Sequence, residues 1–193
     1  MRHDCSVTRL IGLSAVFIVA PAVHAAEQPC QELKHRTAPQ FIEYLRGERA
    51  TLRPACIEFA IDALSKEGYP PGAEVLVSYL DFKSLKQADM WTPLLWKWEY
   101  PAAQALFLIG TSATDSLVRA IAGADSSEVL RTNAEDVLLL INRDDPKNAI
   151  RILRQRSRSA RDAGTAARLF ESAISLARRC PHDHYCELAL SDR

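Results

Sequence analysis

The chain has 193 residues, with 24 basic and 24 acidic side chains and therefore no formal net charge. That balance excludes a bulk electrostatic attraction to nucleic acid or to an anionic membrane surface. Ala, Leu and Arg are abundant, only 7 residues are glycine, and β-branched runs are scarce, a composition that favours helix over sheet.

The first element in chain order reads as an export signal. Arg2, His3 and Arg9 make a short basic stretch, and Leu10–Ala20 (LIGLSAVFIVA) follows as an apolar run that Pro21 breaks. Val23-His24-Ala25 then places small residues at the positions a signal peptidase reads, so cleavage after Ala25 is expected. The run, about eleven residues, is too short to cross a hydrocarbon core of ~30 Å as a helix. Cys5 lies too early to be lipidated, and no lipobox precedes Cys30. Residues 26–193 are thus expected to form a single domain, periplasmic or secreted, with no membrane span in the mature chain. They are numerous enough to bury a core.

The predicted helices follow in order. A first covers about Pro39–Leu45. In Leu52–Leu64 the positions Ala55, Phe59, Ala63 and Cys56, Ala60, Leu64 recur at the i, i+4 spacing of an amphipathic helix, and Gly68 is a natural stop. Pro70-Pro71 opens a short helix over Ala73–Leu80. Another runs from Pro101 to Ile109 and ends at Gly110. Ser112 with Asp115 has the spacing of a capping box for the next, which ends at Gly123. Ser126 or Ser127 starts a helix to about Ile141, Asp145-Pro146 supplies an N-cap and an N1 proline, and Ala163–Arg179 is a long last helix with Arg178 and Arg179 at its negative end. The fold class expected is all-α.

The helices come in pairs with short links, which makes neighbours antiparallel. The pairs also repeat. Ala103-x-x-Leu106-x-x-Ile109 matches Ala134-x-x-Val137-x-x-Leu140, and Leu117-Val118-Arg119-Ala120-Ile121 matches Ala149-Ile150-Arg151-Ile152-Leu153, with a weaker copy at Leu76–Leu80. A period of about 30 residues indicates stacked helical hairpins.

This pattern resembles the HEAT-like repeat family. Tyr100-Pro-Ala-Ala103-x-x-Leu106-x-x-Ile109-Gly110 with Leu117–Ile121 carries the resemblance, followed by Leu130-Arg131-x-x-Ala134-x-x-Val137-Leu138-x-x-Ile141 with Ala149–Leu153. The clear match covers about 55 residues, a looser one begins near Leu52, and the segment between Asp81 and Glu99 interrupts the period. The resemblance implies a short, curved α-solenoid that binds partners on its concave, second-helix surface. HEAT-like repeats also occur attached to enzymes of pigment attachment, an activity no motif here supports.

Three groups of residues are candidates for a site. The interrupting segment holds Trp91, Trp96 and Trp98, followed by Tyr100; such aromatics serve either an irregular core or a binding hot spot. Trp96 and Trp98 are two apart and cannot share a helix face. Arg119 and Arg151 fall at equivalent repeat positions, so a row extended by Arg154 and Arg158 could hold carboxylates or phosphates; the alternative is solvated arginines paired with local acids. The row draws on an uneven charge distribution: residues 26–142 carry 11 basic against 16 acidic side chains, and 143–179 carry 10 against 4.

The cysteines form the third group. Without the leader, Cys30, Cys56, Cys180 and Cys186 remain, an even number that suits two disulfides in an oxidising compartment and allows three pairings. The motif Cys180-Pro-His182-Asp-His184-Tyr-Cys186 lacks the usual spacing of a zinc site. Cysteines six apart on a helix are separated by about 9 Å of rise, beyond disulfide reach, so Cys180 has to end the last helix, as Pro181 suggests. The ends of a solenoid are far apart, which favours Cys30–Cys56 and Cys180–Cys186, one staple for each terminal repeat.

No nucleophile elbow, glycine-rich phosphate loop or HExxH motif occurs. The expectation is a non-catalytic protein without cofactor or metal, binding an extracytoplasmic protein partner through a concave face and the Trp-rich segment. An inhibitor or immunity-type role against an exported toxin would be one use of such a module. Recognition of an anionic ligand or polymer at the arginine row is the rival reading, and no nucleic-acid role is expected.

Overall fold

The computed structural model describes residues 30–84 and 99–179, and every regular element among them is a helix. Helix α1 (Ala38–Leu45) starts where Thr37 and Gln40 close a capping box, Gln40 Oε1 accepting the Thr37 N–H at 2.9 Å. Helix α2 (Pro54–Glu67) has proline at its first position and ends at Gly68, whose φ of 54° is the left-handed C-terminal cap that glycine adopts without strain. The two helices bury Phe41, Ile42 and Leu45 against Ile57, Ala60 and Ile61. A disulfide joins Cys30 to Cys56 and ties the 3₁₀ turn Gln31–Leu33 to α2.

The stretch after Pro70 departs from the single helix expected over Ala73–Leu80. A 3₁₀ turn at Pro70–Gly72 leads into α3 (Ala73–Leu76), and a second follows at Val77–Tyr79. The cause is local: the Ser78 hydroxyl donates to the Val75 carbonyl at 2.7 Å, competing with regular helical bonding. Tyr79 is buried, and its hydroxyl donates to the Leu45 carbonyl at the end of α1 at 2.7 Å.

Helix α4 (Pro101–Ile109) and helix α5 (Thr114–Ala122) have the ends that their prolines and glycines predict, but the capping box at Ser112 does not form. A 3₁₀ turn at Gly110–Ala113 runs straight into α5, so helical backbone already precedes Thr114 and no serine cap is needed. The run Pro101–Ala122 is long and apolar enough to cross a membrane by length and composition, with a mean hydropathy of 1.3. Its Ala102, Ala103, Ala105, Leu106, Leu117 and Ile121 are fully buried in the protein's own core.

Helix α6 (Glu128–Ile141) is capped by Ser127, whose Oγ accepts the Leu130 N–H at 3.1 Å. Helix α7 (Pro146–Ser159) begins after Asp145 as expected, yet that carboxylate makes no capping bond and instead pairs with Arg151 at 3.0 Å. Helix α8 (Ala163–Arg179) has a cap the sequence reading missed: Asp162 accepts the Gly164 and Thr165 amides at 3.1 and 2.7 Å.

Helices α2, α4 and α6 pack side by side in that order; α1 lies on α2, α3 on α4, and α5 on α6. Helix α8 packs on α7 and also on α5, where Arg168 Nε donates to the Ala122 carbonyl at 2.7 Å, a cation against the negative end of α5. At its far end Arg179 reaches α6, pairing with Asp136 at 2.5 Å and with the buried Glu135, which also accepts from Ser175 at 3.0 Å. Fully buried Leu64, Leu76, Leu106, Leu117, Leu138, Ile150 and Leu153 run through these layers, each contributing about 1.5–3 kcal/mol of transfer free energy. A second buried polar link, besides that of Tyr79, crosses them: Asn133 Nδ2 of α6 donates to the Leu80 carbonyl at 2.6 Å.

The described segments 30–84 and 99–179 meet where Ser84 and Glu99 come together. The Ser84 N–H donates to the Glu99 carbonyl at 2.7 Å, and Lys83 Nζ pairs with the Glu99 carboxylate at 2.6 Å. From α2, the buried Glu58 accepts the Ser84 hydroxyl at 2.7 Å, so Ser84 is fixed to the core.

Candidate functional site

Three shallow grooves meet along the side of the molecule formed by α1, α3, α5 and the α7–α8 pair. The first, of about 410 Å³, lies between Pro39 and Ile42 of α1 with Arg46 just past its end, Pro70 and Pro71 of the turn before α3, and Ser116 and Arg119 of α5. The second, about 320 Å³, shares Arg46 and Glu74 with it and extends to Arg49, Ser78 and Tyr79. The third, about 300 Å³, shares Arg119 with the first; Val118, Ala122 and Leu169 give it an apolar lining, and Asp115 and Arg156 stand at its charged part.

Local sequence accounts for the shape. Pro70 and Pro71 fix a stiff rim, because each has its φ locked and no N–H to offer. Arg49 is held flat, its guanidinium 5.2 Å from the Tyr79 ring and 5.9 Å from the Phe82 ring and paired with Asp81 at 2.8 Å. Burial raises the Tyr79 hydroxyl above its ordinary pKa, partly offset by the Arg49 charge.

Charge in the grooves is matched almost pair by pair. Arg46 binds Glu43 at 2.7 Å and reaches Glu74 at 3.8 Å. Arg156 of α7 binds Asp115 of α5. Asp115 lies one turn before Arg119 and would ordinarily pair with it, but Arg156 has taken it. Arg119 hydrogen-bonds instead to Ser116 Oγ at 3.1 Å, and no carboxylate among the described residues pairs with it. These exposed pairs contribute at most about 1 kcal/mol each to stability. Their effect is on what the grooves attract.

The chain matches no known family model, no curated protein and no solved structure.

The sequence-derived residues fall in different places. Arg119 lies in the face, at the junction of two grooves. Its groove neighbour on α7 is Arg156, which the row of arginines did not include. Arg151 is exposed and paired with Asp145, Arg154 is buried at 9% exposure, and Arg158 is exposed near the end of α7. Of the expected row of four, only Arg119 lines these three grooves. Tyr100 is half-buried just before α4, with Lys83 Nζ 5.7 Å from its ring centre. Cys30 and Cys56 are bonded and buried. Trp91, Trp96, Trp98, Cys180 and Cys186 lie outside the described residues. Among the described residues no group of three or more His, Cys, Asp or Glu is placed to hold a metal ion.

Sequence reasoning missed Arg46, Glu74 and Arg156. Glu43 and Arg46, three apart on a helix, are a local pair visible in the sequence. The Asp115–Arg156 pair spans 41 positions, and no local pattern announces it.

Proposed function

We propose that this chain is an exported, non-catalytic protein-interaction module. In this reading residues 26–193 form a short HEAT-like α-solenoid, and the partner is an extracytoplasmic protein. It docks on the grooved face, with Trp91, Trp96, Trp98 and Tyr100 as further contacts. The successive pairing of α1 with α2, α3 with α4, α5 with α6 and α7 with α8 supports the solenoid part. The observation that carries the binding part is the pairwise compensation of charge along the grooves.

That compensation separates the two readings of the arginines. A track for an anionic polymer needs several cations free to bind phosphates or sulfates together. Here Arg46, Arg49, Arg151 and Arg156 each already hold a carboxylate. A face of mixed sign with apolar and proline-lined grooves suits another protein's surface better, since such interfaces are about as apolar as ordinary surface and gain specificity from matched charges.

The test begins with export: the protein recovered outside the cytoplasm has the mass of residues 26–193. That protein is then used as bait in the extracytoplasmic fraction of its host, beside Arg119→Glu and Trp96→Ala forms. The expected result is one partner, bound by the wild type and depleted with both variants. Recovery of the same proteins by all three baits would sink the proposal.

A further inference from the structure

We propose that Arg119 is the receptor for a single carboxylate, carried by an Asp or Glu of a polypeptide segment laid along the grooves. The inference rests on the protein-binding reading above and supplies its chemistry. Two observations carry it. Arg119 stands where two grooves meet, so a chain crossing from the proline rim at Pro70 and Pro71 to the apolar lining at Val118 and Leu169 passes it. And Arg119 is exposed, while its ordinary helical partner, Asp115, is held by Arg156 from the neighbouring helix.

The Arg156–Asp115 pair thus keeps the guanidinium open on its carboxylate side. The Ser116 hydroxyl, at 3.1 Å from one terminal nitrogen, orients the guanidinium and leaves its other donors free for the two parallel bonds that a carboxylate accepts. Lysine cannot reproduce that fork.

The surroundings select the ligand's charge. Glu43, Glu74 and Asp115 lie in the same two grooves as Arg119, each beside an arginine. A dianionic phosphate or a run of acids would meet these carboxylates at close range, and like charges brought together at an interface are disfavoured. One carboxylate flanked by uncharged residues meets a single uncompensated cation and apolar walls. The segment expected is therefore a short sequence with one acidic residue among small, apolar or proline residues, and neither a polyanion nor an acidic tract.

The experiment pans a library of short random peptides against the purified mature protein and against Arg119→Gln. An enriched peptide is then synthesised with its acid and with the amide in its place, and titrated into wild type, Arg119→Gln and Arg119→Lys. The expected result is a fixed Asp or Glu in peptides enriched by the wild type. Replacing that acid by its amide weakens binding to the wild type about tenfold or more, has no further effect on Arg119→Gln, and Arg119→Lys recovers only part of the loss. Arg119 is exposed and bonded only to Ser116, so the variants keep the fold, checked by unchanged helical circular dichroism. Enriched peptides without a fixed acid, or equal binding by Arg119→Gln, overturn the carboxylate receptor and leave the protein-binding reading standing. No enriched peptide together with tight, salt-sensitive binding of polyphosphate overturns both.

Discussion

Replacing Cys30 and Cys56 together by alanine, with Cys180 and Cys186 kept, is predicted to lower stability by about 3.5 kcal/mol at 25 °C. The figure comes from the 26-residue separation of the bonded pair: closing a loop of that length removes about 12 cal/mol/K from the unfolded ensemble. Both sulfurs are buried, Cys30 at 1% and Cys56 at 0% exposure, so lost packing acts in the same direction. For a domain of this size each kcal/mol moves the melting temperature by about 2–4 °C, which gives a drop of about 7–14 °C. Thermal unfolding followed by far-ultraviolet circular dichroism measures it. Because the bond is buried, the native wild type is also expected to resist a mild reductant that acts once the protein is unfolded. A drop below about 3 °C would mean that the bond does not constrain the unfolded chain as reasoned.

Other predictions bear on the core, the caps and the grooves. Asn133→Ala leaves the buried Leu80 carbonyl without its donor and is expected to cost about 1–3 kcal/mol, read as a lower urea midpoint at unchanged slope; an unchanged midpoint contradicts it. The Asp162 carboxyl is held below its ordinary value of 3.8 by the Thr165 hydroxyl and by the Thr165 and Gly164 amides. Its contribution is present above that value and lost as pH falls through the lower folded one, so Asp162→Ala lowers the melting temperature near pH 7 and its effect shrinks as pH is taken below 3.8. Asp136 is the opposite case: burial raises its carboxyl, against the pull of Arg179, so its contribution is full below 3.8 and is lost as pH rises through the folded value. Denaturant titrations upward from about pH 4 should show wild type losing stability relative to Asp136→Asn, and a constant difference would defeat the argument. Arg156→Ala releases Asp115 to pair with Arg119; it is expected to weaken acidic-peptide binding several-fold without altering Arg119 itself, and unchanged affinity would show that Asp115 does not compete.

Helix ends were legible where the chemistry is local. Pro101 and Pro146 start helices, Gly68 ends one, and the Ser127 hydroxyl caps α6, because each acts through its own backbone or through an amide three residues on. The Ser112 box failed for an equally local reason that no pattern of caps contains: the backbone from Gly110 was already helical. The arginines needed long-range information. A shift of 32 residues aligns Arg119 with Arg151, but the rotation of α7 is set by burial of Ala149, Ile150 and Leu153. Arg156 is five residues beyond Arg151, about 140° farther round the helix, and so it is Arg156 that meets Asp115.

The junction of Ser84 with Glu99 has a consequence for how this protein tolerates change. A backbone bond, the Lys83–Glu99 ion pair and the Ser84–Glu58 bond act on the same few residues, so a substitution that removes one leaves the others to hold Ser84 beside the start of α4. The junction is a clasp with more than one fastening, and Glu58 is the fastening that reaches the core.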